Sequence, residues 1–320
     1  MGFYGKEKSS DFFQKTRMLE MISADKGPFR VFATGKTISM DTPIFLPGGT
    51  PLDLLKAKHL PTMNLLHGVH DLWGIDVIRL KRVDDLYRAF TGAPSLSATN
   101  LVDLYSVKYV ISVTPLEEDP RFERVKSGMG DPPGGKEDFP EYTVKLYRHK
   151  NPLPRGWLVN NVKVMDSKAI LSTIVDKDFN PAREALLEEE PDFLQSVTAP
   201  PYGQNPPPSS QSYARDQMSS NKVELISESN NRLRLQVKTT ENALLVLSDT
   251  YFPGWKALVN GTEKKIYRVN YTFRALSLGP GTYSVEFIYD PLSVKLGALV
   301  TFLGILGCLI PIVLKKLKSK

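Results

Sequence analysis

Cysteine is almost absent from these 320 residues: the single one, Cys308, falls in an apolar run near the C-terminus. The water-soluble part can therefore hold neither a disulfide nor a cysteine-based metal centre. An oxidising compartment stays open, because a chain of this size buries enough apolar surface to fold without covalent staples. A basic stripe is missing too. The formal charge is +6, but Lys315, Lys316, Lys318 and Lys320 crowd the last six residues, and the rest carries only +2 with both signs interspersed. Nucleic acid is thus not an expected partner. No Gly-x-Ser-x-Gly elbow and no His-Glu-x-x-His pair occurs, so these routes to hydrolysis have no residues to act with.

Two motifs imitate chemistry. Gly130-Asp131-Pro132-Pro133-Gly134-Gly135-Lys136 has the glycine spacing of a phosphate-cradling loop. Glu137 follows where a Ser or Thr should reach magnesium, and two prolines remove N–H donors the cradle would need. His67 and His70, near Asp71 and Asp76, have the spacing of metal ligands on one helical turn, but Gly68 and Gly74 favour a loop. Asp84 and Asp85 are adjacent on an expected helix and point to different faces, a poor acid–base couple. No catalytic set, cofactor or metal is expected.

Residues 1–27 contain no apolar stretch that would export the chain. The opposite end is strongly apolar. From Leu296 to Leu314 nineteen positions carry no charge, close to the ~20 that a helix needs to cross ~30 Å of hydrocarbon. Its basic flank, residues 315–320, predicts a cytoplasmic tail, with the folded region outside the cell membrane. A folded region outside with no export signal points to membrane helices upstream of Met1, in a longer design.

Residues 1–198 read as a mixed α+β domain. Helices are expected over 9–26 (capped by Ser10 or Asp11), 51–58, 79–90 and 167–175. Strands are expected at 29–33, 107–113, 142–148, 156–164 and 185–188, with a loop at 127–140. Residues 199–214 form a Pro-rich linker. Residues 215–291 then alternate polar and apolar with period two, as in Arg232–Lys238 and Tyr283–Tyr289. Asn230-Asn231, Asn260-Gly261 and Gly279-Pro280-Gly281 punctuate the runs. That texture predicts an all-β sandwich of roughly seven strands, running directly into a single C-terminal transmembrane helix.

The segment Leu247–Trp255 is the most unusual in composition. Asp249, Tyr251, Trp255, Asn270 and Tyr271 combine aromatic rings with polar groups. Such sets bind sugars, rings covering C–H faces while amides and carboxylates take hydroxyls. The alternative is that Trp255 and Phe273 fill the sandwich core and Asp249 holds a turn. In the membrane helix, Gly297, Thr301, Gly304 and Cys308 fall on one face and present small side chains, the ingredients of a docking face for another helix.

Leu247–Ala257, Tyr267-Arg268-Val269-Asn270-Tyr271, Gly279-Pro280-Gly281 and Val285–Pro291 resemble the end of the bacterial YfhO family of membrane proteins. Phe29-Arg30-Val31, Asn64–Gly68, Leu101–Leu104, Val107–Ser112 and Leu153-Pro154-Arg155 extend the resemblance upstream. Gly74-Ile75 stands where the family usually has Gly-Tyr, and Asn260 where it often has Asp. The resemblance implies a polytopic, polyprenyl-phosphate-sugar glycosyltransferase-like protein that decorates cell-surface polymers, with its catalytic carboxylate upstream of this chain. This chain would then be a non-catalytic extracytoplasmic module, with the membrane, the glycosyltransferase body and carbohydrate as partners. A free-standing membrane-tethered carbohydrate-binding protein and the structural remnant of a truncated protein are the alternatives.

Overall fold

The computed structural model describes residues 14–25, 27–39, 41, 56, 67–74, 79–125, 144–195 and 221–318. The phosphate-loop mimic, most of the expected 51–58 helix, Asp76 and the 199–214 linker lie outside them.

A four-stranded sheet opens the fold, with β1 (Arg30–Ala33), β2 (Val107–Ser112), β3 (Phe122–Val125) and β4 (Lys145–His149) in the order β1-β2-β4-β3. β1 and β2 run parallel, the other pairs antiparallel. The period-two pattern buries both faces. Val31, Ala33, Tyr109 and Ile111 meet Met18, Leu19 and Ile22 of the helix Arg17–Ala24. That helix starts at Thr16, whose Oγ1 accepts the Leu19 N–H at 3.2 Å. It is shorter than the expected 9–26, and Ser10 and Asp11 lie outside the described residues. Phe32 and Val110 face the other way, where Phe32 meets Phe90 of the helix Lys81–Gly92 edge-on at 4.7 Å.

The β-rich part contains two sheets. One has six strands: β5 (Gly156–Val159), β6 (Asn161–Val164), β7 (Glu184–Leu187), β10 (Ala243–Thr250), β13 (Tyr267–Val269) and β14 (Phe273–Leu278), in the order β5-β10-β14-β13-β7-β6. The other has five: β8 (Lys222–Ser229), β9 (Arg232–Thr239), β11 (Trp255–Val259), β12 (Thr262–Lys264) and β15 (Gly281–Tyr289), in the order β12-β11-β15-β9-β8. Leu233, Leu235, Val237, Val285 and Phe287 of the second pack against Leu245, Leu247, Leu276 and Leu278 of the first, as in a sandwich.

Two expectations are corrected here. The strand expected over 156–164 is broken at Asn160 into β5 and β6, which stand at opposite ends of the strand order. Because the two are consecutive in the chain, the sheet must curl back on itself. The curl encloses Trp157, Ala185, Leu187, Leu244, Val246, Tyr267 and Phe273 with Ile170 and Ile174 of the helix Ser167–Val175. The sandwich is also larger than 215–291. Strands on both sides of residues 199–214 share the six-stranded sheet, because β10 and β14 carry buried side chains on both faces and need a second covering layer.

The chain leaves β15 through Asp290 and Pro291 into a 27-residue helix, Leu292–Lys318. Its stretch Leu292–Ile310 has mean hydropathy 2.0 and touches nothing else in the protein closely enough to be buried. A helix this apolar and this bare is long enough to cross a membrane and fits a lipid environment.

Candidate functional site

Of the five residues expected at a sugar site, four lie at one end of the six-stranded sheet and Trp255 opens β11 of the other, and the five do not form one site. Asp249, near the end of β10, is 6% exposed. Three arginines close on its carboxylate. Arg30 of β1 donates to Oδ1 at 3.0 Å, and Arg274 of β14 donates to Oδ2 at 2.9 Å. Arg155, just before β5, spans both oxygens at 3.0 and 3.1 Å and also pairs with Glu228. Burial alone would raise the Asp249 pKa, but Arg155, Arg30 and Arg274 outweigh it and hold the group below the usual carboxylate range. Arg30 also donates to the Tyr105 carbonyl and to Ser248 Oγ, both at 2.9 Å, and Ser248 lies 3.0 Å from Ser106. Asp249 therefore ties the four-stranded sheet to the sandwich.

Arg274 is the deepest of the three, and burial pushes its pKa down to about 10 against the pull of Asp249. Its Nε and Nη1 make no hydrogen bond. Aromatic faces take their place: the guanidinium carbon lies 3.9 Å from the Trp255 ring centroid and 5.3 Å from that of Phe287. One face of Trp255 is thus already committed inside the protein.

Asn270 is fully buried, in a left-handed turn with φ 46°. Its Oδ1 accepts the Leu186 N–H and its own N–H donates to the Leu186 carbonyl, each at 2.8 Å, continuing the ladder between β13 and β7. Tyr271 donates its hydroxyl to Asp85 at 2.7 Å beneath the Arg82 guanidinium. Burial first, then this hydrogen bond, pushes its pKa up to about 12. Arg82 in turn pairs with Glu188. These residues fasten the helix Lys81–Gly92 to the sheet.

Tyr251 and Trp255 are the two that reach an open concavity. A groove of about 550 Å3 runs along the turn after β10, lined by Tyr251, Phe252, Trp255, Glu263, Lys265 and Arg268 among others. Arg268 stacks on the Tyr251 ring at 4.6 Å, and Lys265 pairs with Glu189 at 2.7 Å. Rings, carboxylates and cations share its walls, a surface that suits a hydroxyl-rich ligand better than an apolar one. Phe252, Lys265 and Arg268 were missed as site residues. Phe252 follows Tyr251 in the chain, whereas Lys265 and Arg268 reach it only through the fold, from the segment between β12 and β13 and from β13 itself.

A second hollow, about 430 Å3, is lined by Asn100, Asp103, Arg121, His149 and Asn151 among others. His149 Nδ1 accepts the Asn151 N–H at 3.2 Å, and Nε2 lies 3.0 Å from Asp103. Arg121 bridges Asp103 and Asp119. His67 and His70 remain at the surface of a turn in which Asp71 accepts the Trp73 and Gly74 N–H groups. On the membrane helix, nothing stands within 4 Å of a Cβ built on Gly297 or Gly304, and Cys308 is exposed.

Residues 208–301 match the family model described as bacterial membrane protein YfhO, in keeping with the C-terminal portion of such a protein. No curated protein and no solved structure matches the chain.

Proposed function

We propose that the folded body is a non-catalytic, extracytoplasmic module of a membrane glycosyltransferase-like protein acting in cell-surface polymer glycosylation, and that its groove takes carbohydrate. The observation that carries the binding role is the groove itself, where Tyr251, Phe252 and Trp255 stand beside Glu263, Lys265 and Arg268. The match to a membrane-protein family and the bare apolar helix support the setting.

A ring in such a site contributes about 0.5–1.5 kcal/mol, so a lone groove of this kind binds its glycan in the high-micromolar to millimolar range. The full chain in lipid nanodiscs, titrated with cell-wall oligosaccharides by NMR, should show shifts that weaken on Tyr251→Ala. Trp255→Ala is a poorer choice, since it also strips a ring from Arg274. Saturable binding unchanged by Tyr251→Ala would remove the groove from consideration. The outward placement is tested with Cys308 replaced and single cysteines at Gln204 and Ser319. An impermeant maleimide applied from outside should label position 204 and spare 319.

A further inference from the structure

The turn that forms one wall of the groove rests against the root of the membrane helix. The Gly254 carbonyl accepts the Asp290 N–H at 2.8 Å, and a Cβ on Gly254 would lie 2.9 Å from Pro291 Cβ. Lys256 and Lys295 both reach Asp290, at 3.3 and 2.7 Å. Apolar side chains are in the open from the first residue of the helix, Leu292, onward. At 1.5 Å per residue, Leu296 stands only about 7 Å beyond Pro291. The boundary of the hydrocarbon therefore falls within a side chain's length or two of the turn.

On that turn Phe252 is 40% exposed, a large ring facing outward where no core needs it. It neighbours Tyr289, which in turn lies 5.2 Å from Trp255. Aromatic rings flanked by lysines, at the height where a span leaves the bilayer, match the belt that membrane proteins place among lipid headgroups.

We propose that Tyr251–Lys256 is a foot that stands in the headgroup layer of the bilayer that holds the helix. Phe252 enters the acyl boundary, and Trp255 and Tyr289 sit among the headgroups. The partner is lipid, because the surface is continuous with the span and no other partner can avoid the bilayer there. The foot fixes the tilt of the sandwich and holds the groove open close to the membrane surface. None of this depends on what the groove binds.

The test uses the full chain in nanodiscs with Cys308→Ala, and bimane on Phe252→Cys or Thr240→Cys. Thr240 is exposed at the far end of β9, about 25 Å along the strand from the membrane root. The label at 252 should shift to the blue and lose at least about half its emission in lipid brominated near the headgroup. The label at 240 should do neither. Hydroxyl-radical oxidation of the unmodified chain gives a reading free of any variant: Phe252 should be more protected than Ile226, an exposed apolar residue on β8. A label at 252 as unquenched as that at 240, or Phe252 no more protected than Ile226 once each rate is scaled to its side chain's intrinsic reactivity and exposure, overturns the foot.

Discussion

Asp249 and Tyr251 are two residues apart and live in opposite chemical worlds. Asp249 is the last charged position of a strand whose neighbours are nearly all buried, and three guanidinium groups consume its acceptor capacity. Tyr251 follows the end of that strand, on a turn whose other side is open groove. Polar residues in a buried strand become rivets, and the same kinds of residue one turn later are free to bind. Composition alone does not separate the two; position relative to the end of the strand does.

The comparison breaks most visibly at the rivet. Asp249→Ala leaves three arginines facing one another around an empty centre, and removing one member of a buried charge cluster costs about 3–5 kcal/mol. The thermal transition of the full chain in detergent should fall steeply or vanish. A melt that barely moves would show that the hub contributes little.

Acid sharpens the same contrast. The folded pKa of Asp249 is depressed, so its contribution is fully present above the unfolded value of about 3.9 and is lost as pH falls through the folded value. The melting temperature should therefore drop below about pH 4, and Asp249→Asn should flatten that slope while Tyr251→Ala leaves it as it is.

Gly254 joins the two regions. Its φ is +102°, and a Cβ there would press into Pro291 and the Tyr289 ring. Gly254→Ala should destabilise by about 1–3 kcal/mol and loosen the turn from the helix root, read as faster amide exchange at Trp255 and Asp290.

Smaller again, Tyr271→Phe removes the hydroxyl bonded to Asp85 at a cost of about 1 kcal/mol. Because the folded Tyr271 pKa is raised to about 12, its contribution holds below about pH 10 and disappears as pH rises through the folded value. The variant should thus lose its deficit in strongly alkaline buffer, as seen in paired urea titrations. At the bottom of the scale, Tyr251→Ala should change stability by less than about 0.5 kcal/mol. Its effect should appear in binding alone.

Much of the architecture was legible in the sequence, and for definite reasons. Period-two runs such as Arg232–Lys238 gave their strands because one face meets the other sheet and the opposite face meets water. The helix expected over 167–175 is found at Ser167–Val175, where Asp166 caps the Lys168 and Ala169 N–H groups. Asn260-Gly261 marked a hairpin, and both residues take the positive φ such a turn needs. What stayed hidden was long-range. Nothing near Asn160 says that the strand breaks there and sends its halves to opposite ends of one sheet. The candidate site suffered in the same way. Asp249 stands just past the apolar run Leu244–Leu247, where a buried carboxylate needs a cation, but Arg30, Arg155 and Arg274 are scattered over the chain, and only folding brings all three to it.

The curl of the six-stranded sheet has one more effect, on how copies of this chain meet in the plane of a membrane. Anchored bodies are held at one height and diffuse in two dimensions, which favours strand-to-strand addition between neighbours. Among the described residues, the sheet that curls on itself has β5 and β6 as its edges, four residues each, and β6 carries Asn161 and Lys163 there. In the other sheet, β12 is a three-residue edge of exposed Thr262, Glu263 and Lys264, and β8 is interrupted by an irregularity between Leu225 and Ser227. Short, charged or kinked edges are poor templates for a foreign strand. On a crowded bilayer these two sheets therefore offer a neighbouring copy few strands to pair with.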